Sequence, residues 1–276
     1  MFNDYPIILC ASGNSIPYNE NGLKPELADI ITKNISMGLN YFDYYGCKTT
    51  FTSFVDPDFY TSKSNQEWLM NIPLIIGRND NDITNTTENT ILLPKSRAYF
   101  GKDSWEIKKE MCLYCKTKVE AKERLRRCPK CNSAALCSIG FYHNHFVSLF
   151  ALTLSIALGF KEIYILGLDS CEINGKTHFY QDKITNFAKF RGVGKKLNGH
   201  YNTGTYNDRT KTNNWYAPYD DEKDIKFYNV SPESIIEQFP KISYEDFLVR
   251  HKPKCDLTQD EIRFQIKEFI NRKVNE

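Results

Sequence analysis

The chain has 276 residues, enough for one large α/β domain with an inserted subdomain and a sizeable buried core. A net charge of +2 selects no class of partner, so any electrostatic specialisation must be local. Residues 1–6 carry no basic stretch ahead of an apolar run, and no apolar segment reaches bilayer length. A cytoplasmic protein with no secretory signal and no membrane span is therefore expected.

In chain order, "PIILCASGNS" predicts a short buried strand over 7–11, running into a tight polar turn at Gly13, Asn14 and Ser15. "ISMGLN" predicts a strand ending at Asn40, and "TTFTSFVDPD" a third ending at Asp56. "SNQEWLM" predicts a helix, with "IPLIIG" and "TILLP" as two more short strands. "HNHFVSLFALTLSIALGF" is apolar almost all round, and its length and the stop at Gly159 predict a buried helix. "KEIYILGLD" then predicts a central strand ending at Asp169.

Over 170–224 periodicity is lost and Gly, Asn, Lys and Tyr dominate, which predicts a long lid loop. "DIKFYNVS" restores a strand, and "PESIIEQF", with Pro232 near its first position, predicts a helix. The last helix is announced by Thr258 and Glu261 as a capping box. Its apolar face is Ile262, Ile266, Phe269, Ile270 and Val274.

Strands alternating with helices predict a Rossmann-like, mostly parallel sheet flanked by helices. The α/β domain divides into a first part, 1–110, and a second, 133–276, around an insert at 111–132. Ligands of such sheets bind outside the carboxyl ends of the strands. Asn14, Asn40, Asp56 and Asp169 fall at four such ends. Each alone is explained by the turn preference of Asn and Asp, whereas their convergence points to a site. Asp56 and Asp58 in "DPD" spell either a cation-holding pair or a strand-end turn, and the turn is favoured.

The insert breaks this pattern. Nine cysteines are an odd number, and Cys112, Cys115, Cys128 and Cys131 form two CxxC pairs across twelve residues. Four thiolates at this spacing can close tetrahedrally on one structural zinc, leaving no position for water. Between the outer cysteines stand Lys116, Lys118, Lys122, Arg124, Arg126, Arg127 and Lys130, against two Glu. Such charge suits either a soluble stabilising insert or a grip on nucleic acid through Lys122, Arg124, Arg126 and Arg127, with Tyr114 as a stacking face.

"ASGNS", "SIALGFKEIYILGLDSCEINGKTHFY", "NGHYN" and "DIKFYNVSPESII" follow one another in an order that resembles the bacterial sialyltransferases using CMP-sialic acid, and the related MptE-like proteins. The likeness is concentrated in 155–169, and the cysteine insert belongs to neither pattern. The resemblance implies a CMP-sugar donor and a Gly13–Asn14–Ser15 turn against its phosphate. It further implies Asn40 and Asp56 lining the donor cleft and Asp169 as its floor, while the Ser-Gly pair that opens the family's long helix is absent, with Ser148 the nearest candidate.

His200, in the Gly-His pair, matches the general base for the acceptor hydroxyl. Of the two tyrosines that the family places beside the departing phosphate, the first region is replaced here by Ser170, Cys171 and Glu172 and only Tyr180 or His178 serves in the second, a departure that leaves the sugar open. The single phosphate of a CMP-sugar makes a catalytic metal unnecessary. Combined with the basic insert, the expectation is a glycosyltransferase whose acceptor is nucleic acid, such as a hydroxymethylated DNA base. The alternatives are transfer to a surface glycan and an MptE-like hydroxymethylpterin diphosphokinase.

Overall fold

The computed structural model describes residues 1–55, 63–79, 86–94, 108–112, 118–121, 129–130, 136–138, 147–184, 196–197, 200–201, 216, 219, 224–250 and 255–275. Its strands are β1 (Pro6–Cys10), β2 (Tyr18–Asn19), β3 (Gly22–Leu23), β4 (Ser36–Leu39), β5 (Phe51–Phe54), β6 (Ile75–Asn79), β7 (Thr90–Pro94), β8 (Lys108–Cys112), β9 (Lys118–Ala121), β10 (Leu136–Ser138), β11 (Glu162–Leu166), β12 (Lys196–Leu197), β13 (His200–Tyr201) and β14 (Lys226–Val230). Its α-helices are α1 (Pro25–Lys33), α2 (Phe42–Tyr45), α3 (Lys63–Leu69), α4 (Val147–Leu158), α5 (Tyr244–Arg250) and α6 (Gln259–Asn275).

Seven strands form one sheet in the order β14-β11-β1-β4-β5-β6-β7. Every pairing in it is parallel. The expected α/β architecture is therefore the observed one. Parallel strands are covered on both faces, which is why β1, β4 and β5 read as apolar or small residues throughout.

On one face Ile7, Leu9, Met37, Leu39 and Phe51 pack under α4 and under Ile262, Ile266 and Ile270 of α6. On the other, Ile8, Cys10, Tyr164 and Leu166 meet Leu27 and Ile31 of α1 and Phe247 of α5. Helix α4 is buried on all sides from Ser148 to Leu158. Each fully buried Leu in it contributes roughly 2 kcal/mol. Gly159 ends it with φ +96°, a conformation that favours glycine, where a Cβ would also crowd the chain start at Met1. The capping box of α6 forms as read: Glu261 Oε2 accepts from the Thr258 N–H and hydroxyl, both at 2.7 Å.

One expected helix is absent. "PESIIEQF" is irregular from Pro232 onward, because its polar groups are committed elsewhere. The Ser234 hydroxyl donates to Leu168 O at 2.6 Å, and Ile235 N–H donates to Asp169 O at 3.1 Å. Tertiary hydrogen bonds here take the donors that a helix would have used.

The insert at 111–132 and its flanks form a separate antiparallel sheet, β10-β8-β9, that runs from Lys108 to Ser138. Cys112 ends β8 opposite Leu136, and Pro129 and Lys130 form an exposed turn. Cys115, Cys128 and Cys131 lie outside the described residues, as do Tyr114, Lys122, Arg124, Arg126 and Arg127. Among the described residues no helix is long and apolar enough to cross a membrane.

The insert is tethered at one edge of the main sheet. β7 is parallel to its neighbours, so Pro94 stands at their carboxyl edge. Helix α4 delivers the chain to the amino edge, where Leu158 O accepts from Phe2 N–H at 3.2 Å. At 1.5 Å per residue, the twelve residues of α4 place its start roughly 17 Å away, at the carboxyl edge again.

Candidate functional site

Successive connections carry the chain from β1 to β4, β5, β6 and β7 on one side, then to β11 and β14 on the other. The order therefore reverses between β1 and β11. Ligand crevices of open α/β sheets form at such a switch point, outside the carboxyl ends.

The residues at this switch are tied to one another. Asp169, 2% exposed, accepts from Ser15 N–H at 2.8 Å, from the Ser15 hydroxyl at 2.5 Å and from the Ser231 hydroxyl at 2.6 Å. One carboxylate thus joins the ends of β1, β11 and β14. Gly13 makes the approach possible: a Cβ there would sit 2.4 Å from Asp169 Oδ2 and 2.4 Å from Gly167 O. The closeness that glycine permits at this turn is taken up by Asp169. Asn14 turns its amide outward from this knot and donates to Ile173 O at 2.9 Å.

The segment after Asp169 folds back over the turn. Ser170 and Asn174 hold positive φ, and Phe179 N–H donates to Ser12 O at 3.1 Å. This brings His178 and Tyr180, both buried, to the same edge. His178 Nδ1 lies 2.8 Å from the Thr177 hydroxyl, and the Tyr180 ring stacks on Tyr45 at 4.3 Å. Described residues at the start of the 170–224 stretch are thus packed against β1 and α2. At its far end, buried Tyr216 and Tyr219 reach α4 through Ser148 Oγ (2.7 Å) and Thr153 Oγ1 (3.0 Å). Ser148 is therefore at the carboxyl edge, with its hydroxyl engaged by Tyr216.

Asn40 ends β4 at φ +53°, a conformation that Asn tolerates better than most residues. Its N–H donates to Ser53 O at 2.9 Å, while its side-chain Oδ1 is buried and accepts no hydrogen bond. Beside it, Asp43 of α2 folds its carboxyl over β4. The Thr49 N–H and hydroxyl contact its Oδ1 at 2.8 and 2.9 Å. Burial, opposed in part by these Thr49 hydrogen bonds, pushes the Asp43 carboxyl up to about 6. Burial likewise pushes the Cys47 thiol up to about 12.

The structure brings Gly13, Asn14, Ser15, Asn40, Ser148, Asp169, His178 and Tyr180 to one edge. His200 is placed only by its backbone, opposite Leu197 in the short β12–β13 hairpin. Asp56 and Asp58 lie outside the described residues. Among those described, no group of three or more His, Cys, Asp or Glu is placed to hold a metal.

Sequence reasoning missed Ser231, Asp43 and Tyr45. Ser231 could have been marked by its place immediately after the last strand of the sheet. Asp43 had a fainter signal: an acid four residues past a strand end, with a glycine in the strand and a threonine beyond to receive it.

No family model and no curated protein matches the chain. Among solved structures, a sialyltransferase, CstII from Campylobacter jejuni, in complex with a substrate analogue, cytidine-5'-monophosphate, overlaps 94% of this chain and 90% of its own, at 14% identity and a TM-score of 0.41. A score that low bears on neither the fold nor the activity.

Proposed function

We propose that the chain is a glycosyltransferase, moving a sugar from a CMP-sugar donor to an acceptor hydroxyl on nucleic acid. The observation that carries this reading is how the described carboxylates of the carboxyl edge are used. Asp169 is consumed by Ser15 and Ser231, and Asp43 by Thr49, so both face inward. Beside them the edge presents amides, hydroxyls, an imidazole and phenols, with exposed Glu172 and the Lys176–Asp182 ion pair farther along the same segment. Such a set suits a nucleoside monophosphate, whose single phosphate asks for hydrogen bonds rather than a bridging cation. The unpaired Asn40 oxygen is an acceptor, the complement of the exocyclic amine of cytosine.

In this reading His200 takes the proton from the acceptor hydroxyl as its oxygen bonds to the anomeric carbon. The bond from that carbon to the phosphate oxygen breaks, and CMP leaves with the electron pair. Ser15, Asn14, His178 and Tyr180 supply the polar surroundings of the departing phosphate. The four cysteines hold one structural zinc that shapes the insert. Its seven Lys and Arg, on a module tethered at the carboxyl edge, favour a polyanionic acceptor.

Protection of the fold by nucleotides is the direct test. A ligand at one hundred times its Kd adds about 2.7 kcal/mol to stability. CMP should raise the unfolding midpoint in the presence of EDTA, with UDP, GDP and ATP giving less. Protection by UDP only with a divalent ion would move the reading to a metal-dependent transferase, and protection by ATP to the pterin diphosphokinase. For the acceptor, charge reversal at Arg124, Arg126 and Arg127 should weaken nucleic-acid modification increasingly with salt, leaving donor hydrolysis intact. Unchanged modification across the salt series would favour a surface glycan.

A further inference from the structure

The reaction read above creates charge at one place. In a CMP-sugar the phosphate is a diester with one negative charge, whereas CMP leaves as a monoester carrying nearly two. The new charge forms on the oxygen that parts from the anomeric carbon. The groups placed beside it, Asn14, Ser15, His178 and Tyr180, include no permanent cation. A cation there lowers the barrier, because it holds the departing state more tightly than the intact CMP-sugar.

The segment from Ser170 to Ile184 carries two lysines, Lys176 and Lys183. Lys183 Nζ is turned to the β2–β3 hairpin, where it donates to Glu20 O at 3.2 Å. Lys176 is built into the carboxyl edge. Ile173 and Lys176 exchange backbone hydrogen bonds at 2.9 and 3.1 Å across Asn174 and Gly175, whose φ values of +54° and +74° are those of a type I′ turn. Ile173 O also accepts from the Asn14 amide at 2.9 Å, which fastens this turn to the one that ends β1. Thr177 N–H donates to Gln181 Oε1 at 3.0 Å, and Phe179 N–H to Ser12 O at 3.1 Å. The Lys176 ammonium then pairs with the Asp182 carboxylate in the 3₁₀ turn Gln181–Lys183. It bridges the two ends of the short loop that carries His178 and Tyr180.

This pair is readily exchanged. The Asp182 side chain is 69% exposed and that of Lys176 37%, and an ion pair so open to water contributes little to stability. Asp182 can return to water, while a phosphate offers the ammonium close to two charges in place of one.

We propose that Lys176 is the cation for the departing phosphate, leaving Asp182 for a phosphate oxygen as the bond to the anomeric carbon breaks. The electron pair of that bond stays on the phosphate oxygen, and Lys176 keeps its proton throughout. The assignment rests on the CMP-sugar reading and names the residue that matches the charge of its leaving group.

Lys176→Ala and Asp182→Asn both remove the ion pair. A pair that only staples the loop makes the two variants behave alike; a phosphate ligand makes them diverge. Calorimetric titration of the full chain with CMP and with cytidine reads the difference. Lys176→Ala should weaken CMP roughly tenfold and leave cytidine unchanged. Asp182→Asn should bind CMP at least as tightly as wild type, and Lys176→Arg should recover most of the loss. Transfer by Lys176→Ala should fall further than affinity, by roughly a hundredfold in kcat.

Equal losses of CMP affinity in the two pair-breaking variants overturn the assignment, as does Lys176→Ala protein that binds CMP like wild type. If Lys176→Ala does not fold, weaker CMP binding by Asp182→Asn refutes it alone. In each of these cases wild type still binds CMP, and the CMP-sugar reading stands. Wild-type protein that binds neither CMP nor cytidine removes that reading and the assignment with it.

Discussion

Replacing Asp169 with alanine probes the knot at the switch point most directly. The carboxylate accepts three hydrogen bonds, two from Ser15 and one from Ser231. Bonds to a charged acceptor are each worth about 1.5–3 kcal/mol. They are not additive, since two come from one residue, and a loss of about 4 kcal/mol is expected for Asp169→Ala. Ser231 is fully buried, so its hydroxyl would be left without an acceptor in a dry position.

Asp169→Asn should be milder. With its oxygen turned to the Ser15 N–H, its amide can donate to the two hydroxyls, which rotate to accept. A cost of about 1–2 kcal/mol follows, mostly from the lost charge. At about 2–4 °C per kcal/mol, alanine should lower the midpoint by roughly 8–15 °C and asparagine by no more than about half of that. Thermal and urea unfolding followed by circular dichroism, with CMP titration alongside, measures both the fold and the site. Alanine within about 1 kcal/mol of wild type, or asparagine as harmful as alanine, would refute the role given to this carboxylate.

His200→Ala should lower transfer by roughly two to four orders of magnitude with donor affinity nearly unchanged, read from kcat and a separate CMP titration; a loss confined to donor binding removes it as the base. One zinc per chain is expected by elemental analysis, and Cys128→Ser with Cys131→Ser should abolish it. Zinc retained in that double variant points to other ligands. Thr258→Ala should cost about 1 kcal/mol by removing the cap of α6. The Thr258 hydrogen bonds hold the Glu261 carboxyl below its ordinary range. The cap's contribution is thus present above the ordinary glutamate value and lost as pH falls through the lowered one. A Thr258→Ala deficit that grows in acid contradicts that assignment.

The seven strands of the main sheet were legible because each is a run of apolar or small residues bounded by turn formers, and α4 because its buried run is too long for a strand. Three short helices escaped notice: α2 is a single turn, and α1 and α5 were hidden for a physical reason. In α1 Leu27 and Ile31 are buried with Ile30 packed beside them, and in α5 Phe247 is fully buried with Tyr244 and Leu248 packed beside it. Helices of nine and seven residues run for little more than two turns, too short a stretch for a period to stand out. The misread helix after Pro232 shows the opposite limit, a good local pattern outbid by the backbone of Leu168 and Asp169. At the site, strand-end position gave Asn14, Asn40 and Asp169. It could not show that Asp169 is spent on Ser15 and Ser231, since partners some 60 to 150 residues away in sequence leave no mark in either segment.

A chain that departs from a sheet and returns to it along the same border treats whatever lies between as cargo. β7 and α4 meet this condition, and α4 packs over β1, β4 and β5, so the two attachment points are about three to four strand spacings apart, roughly 14–19 Å. A flexible Gly/Ser linker of ten or so residues spans such a gap. The segment 95–146 could then be exchanged for that linker without unpicking any pair in the seven-stranded sheet. Portability of this kind lets one α/β frame be refitted with a different inserted module, by gene rearrangement or in the laboratory, with the pairing of its main sheet left intact.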